Sequence, residues 1–426
     1  MVGRRPRWTA ALLLGISLVG TVAPRRAQAL ECTGDSAKIC PSSPCVINGI
    51  HTFDAQCTLD FTGKDVTIAS SASLFWPSRP AGSGATVIAR SLTIQGTVQA
   101  PNTTLEFDVD QDFRVVGPGP AKIVLTAAGY PVFFTGLNIF AFGDVVLDGS
   151  IVQAPYVDIT GANVTVDSRI VANTYLDESP VIFIEAANSV ITRGKLSVVG
   201  QPFPSQTHYG AGAIIQLMSD GGDVEVDGPI LARSDFQAPE LDLSAAGNVH
   251  VNGQIKLVGP VTQNTAGANV FGDAQGDFSL DGKLIARPRS QAGVYHYGTI
   301  VEIGVSGTLS IGGKLDVSAH GSASLANPSM ISLEACSISI SGTINTGGNL
   351  LAPVEHEIAY GKGLDFTRGR WIATPNGSLA IDCPCVDADS NGVCDGGCVP
   401  PPTGLDPARI RLPVSFSGDP SSSACP

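Results

Sequence analysis

One eight-residue phrase recurs ten times along this chain: a small polar residue, apolar, any, apolar, any, Gly, any, apolar. It reads S-L-T-I-Q-G-T-V from Ser91, D-V-V-L-D-G-S-I from Asp144 and D-V-E-V-D-G-P-I from Asp223. Further copies start at Asn248, Asp277, Thr308 and Ser337, and looser ones at Asp112, Asn163 and Ser189. The sixth position falls at Gly96, Gly117, Gly149, Ser168, Gly194, Gly228, Gly253, Gly282, Gly313 and Gly342, in steps of 19 to 34 residues. A constant phrase with uneven steps marks a stacked array whose units carry connections of different length. Inside the phrase the apolar positions alternate, as at Val224 and Val226, which is the period of a strand with one buried face. The Gly is expected to bend the backbone through a positive φ. The eighth position, as at Ile230, Ile255 or Leu284, is expected to open another inward-facing strand.

A short apolar-alternating run usually precedes the phrase, as at Tyr156 to Ile159, Ile214 to Leu217 and Leu241 to Leu243. Each unit therefore offers about three strands and one long connection. Stacked in parallel, with the right-handed crossover that such connections prefer, they make an all-β, right-handed parallel β-helix. The segmentation is 1–29 as a secretion signal, 30–60 as a Cys-rich cap and first coil, 61–382 as the β-helix and 383–426 as a Cys-rich tail. The signal reads from Arg4, Arg5 and Arg7, an apolar stretch from Ala10 to Val22, and Ala27-Gln28-Ala29 before the cleavage point. That stretch is too short to span a bilayer, and no second run is long enough. The chain is thus expected to be exported, to the periplasm, the outer surface or the extracellular space.

The formal net charge is −13, and removing the signal strips five Arg and no acid. Such a chain repels nucleic acid, and it would meet acidic polymers only through local basic patches. Cys32, Cys40, Cys45 and Cys57 crowd one end. Cys383, Cys385, Cys394, Cys398 and Cys425 crowd the other, and Cys336 stands in the body. An even count in an exported chain points to disulfides, whose pairing the spacing leaves open. A zinc site is the alternative, and the close pairs lack accompanying His.

The phrase and its stacking resemble the pectin-lyase-like and haemagglutinin-type β-helix superfamily of exported bacterial proteins. The resemblance covers most of the chain and implies the fold. It leaves activity open, since lyases, hydrolases and adhesins share it. In polysaccharide lyases on this fold, acids hold calcium and a basic residue takes the sugar proton. The matching candidates here are the fifth-position residues Asp148, Asp167, Arg193 and Asp227, which continue to Asn252 and Asp281. Asp-Gly and Asn-Gly are equally ordinary turn dipeptides. Asp108, Asp110 and Asp112 alternate onto one expected strand face.

Near the end, Asp387, Asp389, Asn391, Val393 and Asp395 follow the spacing of oxygen ligands around Ca²⁺. The run resembles thrombospondin type 3 calcium loops, with Cys398 where an EF-hand has Glu. A structural calcium is the expectation. Two long loops carry aromatic and charged groups suited to a glycan partner: Phe203, His208 and Tyr209 in one, Arg287, Arg289, Tyr295, His296 and Tyr297 in the other. Packing on the coil wall is the competing role for them, as it is for Trp76 and Trp371. No nucleophile–base pair stands out. Two functions follow: a non-enzymatic envelope or surface protein, structural or adhesin-like, binding glycan through its side loops; or a calcium-dependent polysaccharide lyase or glycoside hydrolase.

Overall fold

The computed structural model describes residues 35–418, apart from 55, 78–82, 118–120, 127–134, 175–178, 201–211, 236, 260–266, 289–295, 319–324, 328, 348–353, 373–376 and 385–397. Nearly every element is a strand. The strands join into a 20-stranded sheet, a 13-stranded sheet and a two-stranded pair, and the pairings are parallel. Each coil pairs with the next, which makes a solenoid-like, all-β fold. The run Ile214–Ser219, Val224–Val226, Ile230–Ser234 is one coil; Glu240–Ala245, Val249–Val251, Gln254–Val258 is the next, residue over residue. The first two strands of each coil lie in the larger sheet and the third in the smaller.

Parallel stacking puts equivalent side chains over one another. Val157, Ile182, Ile215, Leu241, Val270, Val301 and Ile331 form one such column, all buried. Burying a side chain of this size stabilises by about 1.5–3 kcal/mol, so the inward columns hold the coils closed. Trp76 and Trp371 fill the interior near its two ends, each fully buried. Trp76 packs on Phe53 with ring centroids 4.9 Å apart. The Nε1 of Trp371 donates to Thr346 Oγ1 at 3.3 Å. Their competing roles thus resolve in favour of packing.

Disulfides stand at both ends. Cys40–Cys45 follows the short helix Asp35–Ile39, and Cys383–Cys398 ties the strand Gly377–Cys383 to the tail. Cys57 and Cys336 are disulfide-bonded as well, and no cysteine among the described residues is free. Cys32, Cys385, Cys394 and Cys425 lie outside the described residues. The tail also continues the stack. Val414–Gly418 pairs in parallel on Gly377–Cys383, and the Tyr360 hydroxyl donates to the Pro400 carbonyl at 2.9 Å.

The first and sixth positions of the phrase owe their identity to the coil below. Asp223 Oδ1 accepts from the Asn248 backbone N–H at 2.6 Å, Asn248 Oδ1 from Asp277 N–H at 2.8 Å, and Asp277 Oδ1 from Thr308 N–H at 2.7 Å. A short side-chain oxygen at the first position therefore satisfies a corner amide of the next coil, which hydrogen-bonding economy demands of a backbone group leaving a ladder. The glycines solve a steric problem. A Cβ on Gly253 would stand 2.4 Å from the Gly228 carbonyl oxygen, and one on Gly282 2.0 Å from that of Gly253. The expected positive φ occurs at Gly149 (62°) but not at Gly194, Gly228, Gly253, Gly282, Gly313 or Gly342. Close approach of stacked backbones, not a left-handed bend, excludes a side chain there. At Gly149 the coil carries one extra residue. Ser150 takes the corner place and pairs with Ser168, so that Val152, and not the eighth-position Ile151, turns inward.

Gly253→Ala should therefore destabilise the protein by about 1–3 kcal/mol, the usual cost of overpacking. Gly304→Ala should be near neutral, because nothing lies within 4 Å of its added Cβ. Denaturant unfolding of the two variants checks this.

Candidate functional site

The fifth-position row does stack, at the corner between the two sheets. Arg193 lies between two acids, its Nη1 3.4 Å from Asp167 Oδ1 and its Nε 3.8 Å from Asp227 Oδ2. Asn252 Nδ2 then donates to Asp227 Oδ1 at 2.8 Å. The Arg193 side chain is half exposed. Asp148, lower in the row, has no ion-pair partner among the described residues. The corner is thus an interlocked polar ladder whose contacts run between coils. Asp108, Asp110 and Asp112 do not share a face. The strand Thr103–Val109 ends at a bend, Asp108 stays on the sheet, and Asp112 belongs to the first-position ladder, paired with Arg114 at 3.0 Å and accepting from Asp144 N–H at 3.1 Å.

The long connections leave one corner. In each case they join the end of a smaller-sheet strand to the start of the next larger-sheet strand: Leu196–Gly200 to Ile214–Ser219, Lys283–Arg287 to Ile300–Ile311, Lys314–Asp316 to Met330–Ile340. The first two of these connections are three coils apart, roughly 14 Å at strand spacing. Phe203, His208, Tyr209, Arg289 and Tyr295 lie outside the described residues. The backbone of His296–Tyr297 forms a small parallel pair with Leu325–Asn327 of the following connection. Arg287 is engaged at the root: with Lys314 it pairs with Asp316, whose side chain is fully buried. Lys314 Nζ stands 2.6 Å from the carboxylate, and Ser318 donates through its N–H at 3.1 Å and its hydroxyl at 2.6 Å. Burial pushes the Asp316 carboxyl up, but the bonds from Lys314, Ser318 and Arg287 outweigh it and hold it well below the usual carboxylate range.

The two sheets differ in the charge they turn outward. On the larger sheet, Glu106, Asn138, Asp158, Phe183, Gln216, Asp242, Phe271, Glu302, Ser332 and Glu357 follow one another coil by coil. Two residues on runs the parallel row Asp108, Phe140, Thr160, Glu185, Met218, Ser244, Asp273, Gly304, Glu334. Neither row holds a cation. Burial, and then Asp273, pushes the Asp242 carboxyl up; burial and Asp108 do the same at Glu106, and burial and Asp242 at Glu240. Tyr156, which donates to Asp158 at 3.3 Å, is pushed up to about 12 by burial and by that acid.

The smaller sheet is the reverse. Its strands carry Lys122, Arg169, Arg233, Lys256, Lys283, Arg287, Lys314 and Arg370, and the single acid Asp316. The seventh position of the phrase supplies much of this charge, at Arg169, Lys195, Lys283 and Lys314. The phrase itself leaves that position open to any residue, and its Lys and Arg content is visible along the chain.

His356 is one of six scattered histidines, none in a metal-ligand spacing. It sits on the inward face between Val354 and Ile358, 1% exposed, with its ring centroid 5.3 Å from that of Trp371 and no partner for Nδ1 in the described structure. The period-two pattern V-E-H-E-I was the available signal. Burial pushes this imidazole down to about 4.

The calcium-type residues Asp387, Asp389, Asn391, Val393 and Asp395 lie outside the described residues. Among the described residues no cluster of three or more His, Cys, Asp or Glu could hold a metal, and no helix is long and apolar enough to cross a membrane. No protein-family model, curated protein or solved structure matches the chain.

Asp316→Asn should strip both cations of their buried partner and cost about 3 kcal/mol. The loss should appear as faster hydrogen exchange in Lys283–Arg287 and Lys314–Asp316. His356 is neutral when buried and takes up a proton on unfolding between pH 6.5 and about 4. Its contribution is therefore complete above pH 6.5 and is lost as the pH falls through that window, by about 3 kcal/mol in full. Unfolding midpoints measured from pH 7 to pH 4 should fall less steeply in His356→Leu than in the parent.

Proposed function

We propose that this chain is an exported, non-enzymatic, right-handed parallel β-helix of the cell envelope or surface, structural or adhesin-like, which contacts glycan through the loops at one corner. The observation that carries this reading is the placement of the long connections. They join the same two sheet edges in coil after coil, so the points where they leave and rejoin the wall fall along one line. Binding residues held on loops by a regular scaffold are a common arrangement. The leader-like residues 1–29 and the disulfides at both ends support export. A structural Ca²⁺ at Asp387, Asp389, Asn391, Val393 and Asp395 belongs to the same reading, on ligand spacing alone.

The competing lyase or hydrolase would act at the corner row. Catalysis needs a carboxylate pair or a metal-and-base arrangement directed at substrate. Here the guanidinium of Arg193 and the carboxylate of Asp227 are each drawn to neighbours in their own ladder.

The test incubates the mature chain, with and without calcium, against neutral and acidic polysaccharides, and scores retained polymer and new chain ends separately. Retention without new chain ends, weakened by Tyr209→Ala, is expected. New chain ends that disappear in Arg193→Ala or Asp227→Ala would make the chain an enzyme and overturn the reading.

A further inference from the structure

The smaller sheet carries a line of cations along the stack. Lys122, Ile151 and Arg169 are register partners, and Lys195 lies beside Arg169 in the next coil. Beyond Pro229, the line continues through Gln254, Lys283, Lys314, Thr343 and Arg370. Nine coil steps separate Lys122 from Arg370, roughly 43 Å at strand spacing. Lys256 stands next to the line. Lys122, Arg169, Lys195, Lys256, Lys283 and Arg370 are all exposed, and none has an ion-pair partner among the described residues.

We propose that this face is a docking surface for one extended acidic polysaccharide chain lying along the solenoid axis. The inference rests on the glycan-binding reading above and names the glycan's chemistry and its bed. Charge complementarity selects the occupant. Exposed cations recurring along one line attract a linear polyanion at several coils, and those other than Lys314 have no ion-pair partner among the described residues. The outward positions between Lys122 and Arg370 carry Val, Gln, Ser, Leu, Ile and Asn but no aromatic ring. A neutral glycan would therefore find no ring to stack on. Breadth matters as well. The corner row, with Asp148 and Asp281, runs beside the cations, and two outward rows of the larger sheet carry acids and no cation. A duplex nucleic acid or an anionic bilayer is wide enough to meet those acids. A single sugar chain follows the cations and avoids them.

The experiment measures binding of fluorescent alginate to the full mature chain at low and at high salt, with neutral dextran, duplex DNA and phosphatidylglycerol vesicles as alternatives. The variant Lys122→Gln/Lys195→Gln/Lys256→Gln/Lys283→Gln removes only exposed side chains and leaves Arg193, Arg287 and Lys314 in their pairs. It should keep the parent's unfolding midpoint and lose alginate affinity by roughly tenfold or more, and the salt sensitivity should shrink with it. Glu302→Gln, on the opposite sheet, should leave alginate affinity within about twofold of the parent. Loss in Tyr209→Ala with full binding in the quadruple variant overturns this inference and leaves the loop-binding reading standing. Tighter binding to dextran, DNA or vesicles than to alginate also overturns it. No retention of any polysaccharide overturns both.

Discussion

Parallel hydrogen bonding between successive coils fixes everything else in this molecule. It repeats the chain at about 4.8 Å and places each residue over its equivalent one coil away. A residue type chosen repeatedly at one position then becomes a column. Apolar columns make the interior, as from Val157 through Ile331. Short polar columns satisfy corner amides, as from Asp223 to Thr308. The glycine column exists because two backbones pass too close for a Cβ between them. Chemistry in such a fold is one-dimensional, and a substitution is judged against the coils above and below rather than against its sequence neighbours.

Charge obeys the same rule and is harder to repeat. Like charges one coil apart repel by about 1 kcal/mol in water and by more where solvent is partly excluded. The corner row avoids this by alternation, with Arg193 between Asp167 and Asp227 and Asn252 above them. The two outer faces do not alternate. One collects carboxylates, several pushed up by burial and by each other. The other collects cations, of which those nearest the loop roots converge on Asp316. A net charge of −13 therefore describes neither face.

The stacked, all-parallel architecture was legible because it depends on local pattern: two apolar positions at period two, a corner residue and another strand. Three strands per coil and the turning points at Gly228, Gly253 and Gly282 follow from that pattern directly. The reason for the glycine did not, because a steric contact with the preceding coil leaves no mark in the local sequence; a positive φ was the nearest local explanation, and it applies only where Gly149 accompanies an extra residue. The ladder around Arg193 was anticipated because all its members share one phrase position. The cation line was not, because connections of uneven length break the register between Lys122, Arg169 and Lys195 when the chain is read linearly. Arg287 looked like a loop residue free to meet ligand. Its partner Asp316 lies one coil on, beyond any local window.

The seventh position of the phrase shows how fold and function separate in a solenoid. Stacking constrains the positions that point inward, toward a corner amide or toward another backbone. It leaves the seventh position, just past the glycine column, free to hold any side chain that reaches solvent: Thr97, Pro229, Gln254 and Thr343 fit there as well as Lys195 or Lys283. Structural demand thus does not explain why four of the ten copies place Lys or Arg at it. Repulsion along the line opposes that choice. A stabilising role is expected of cations that have carboxylate partners, as Lys314 has. Lys195, Lys283 and Arg169 have none among the described residues, so folding gains little from their charge. Contacts within the described residues thus do not account for the charge at this position.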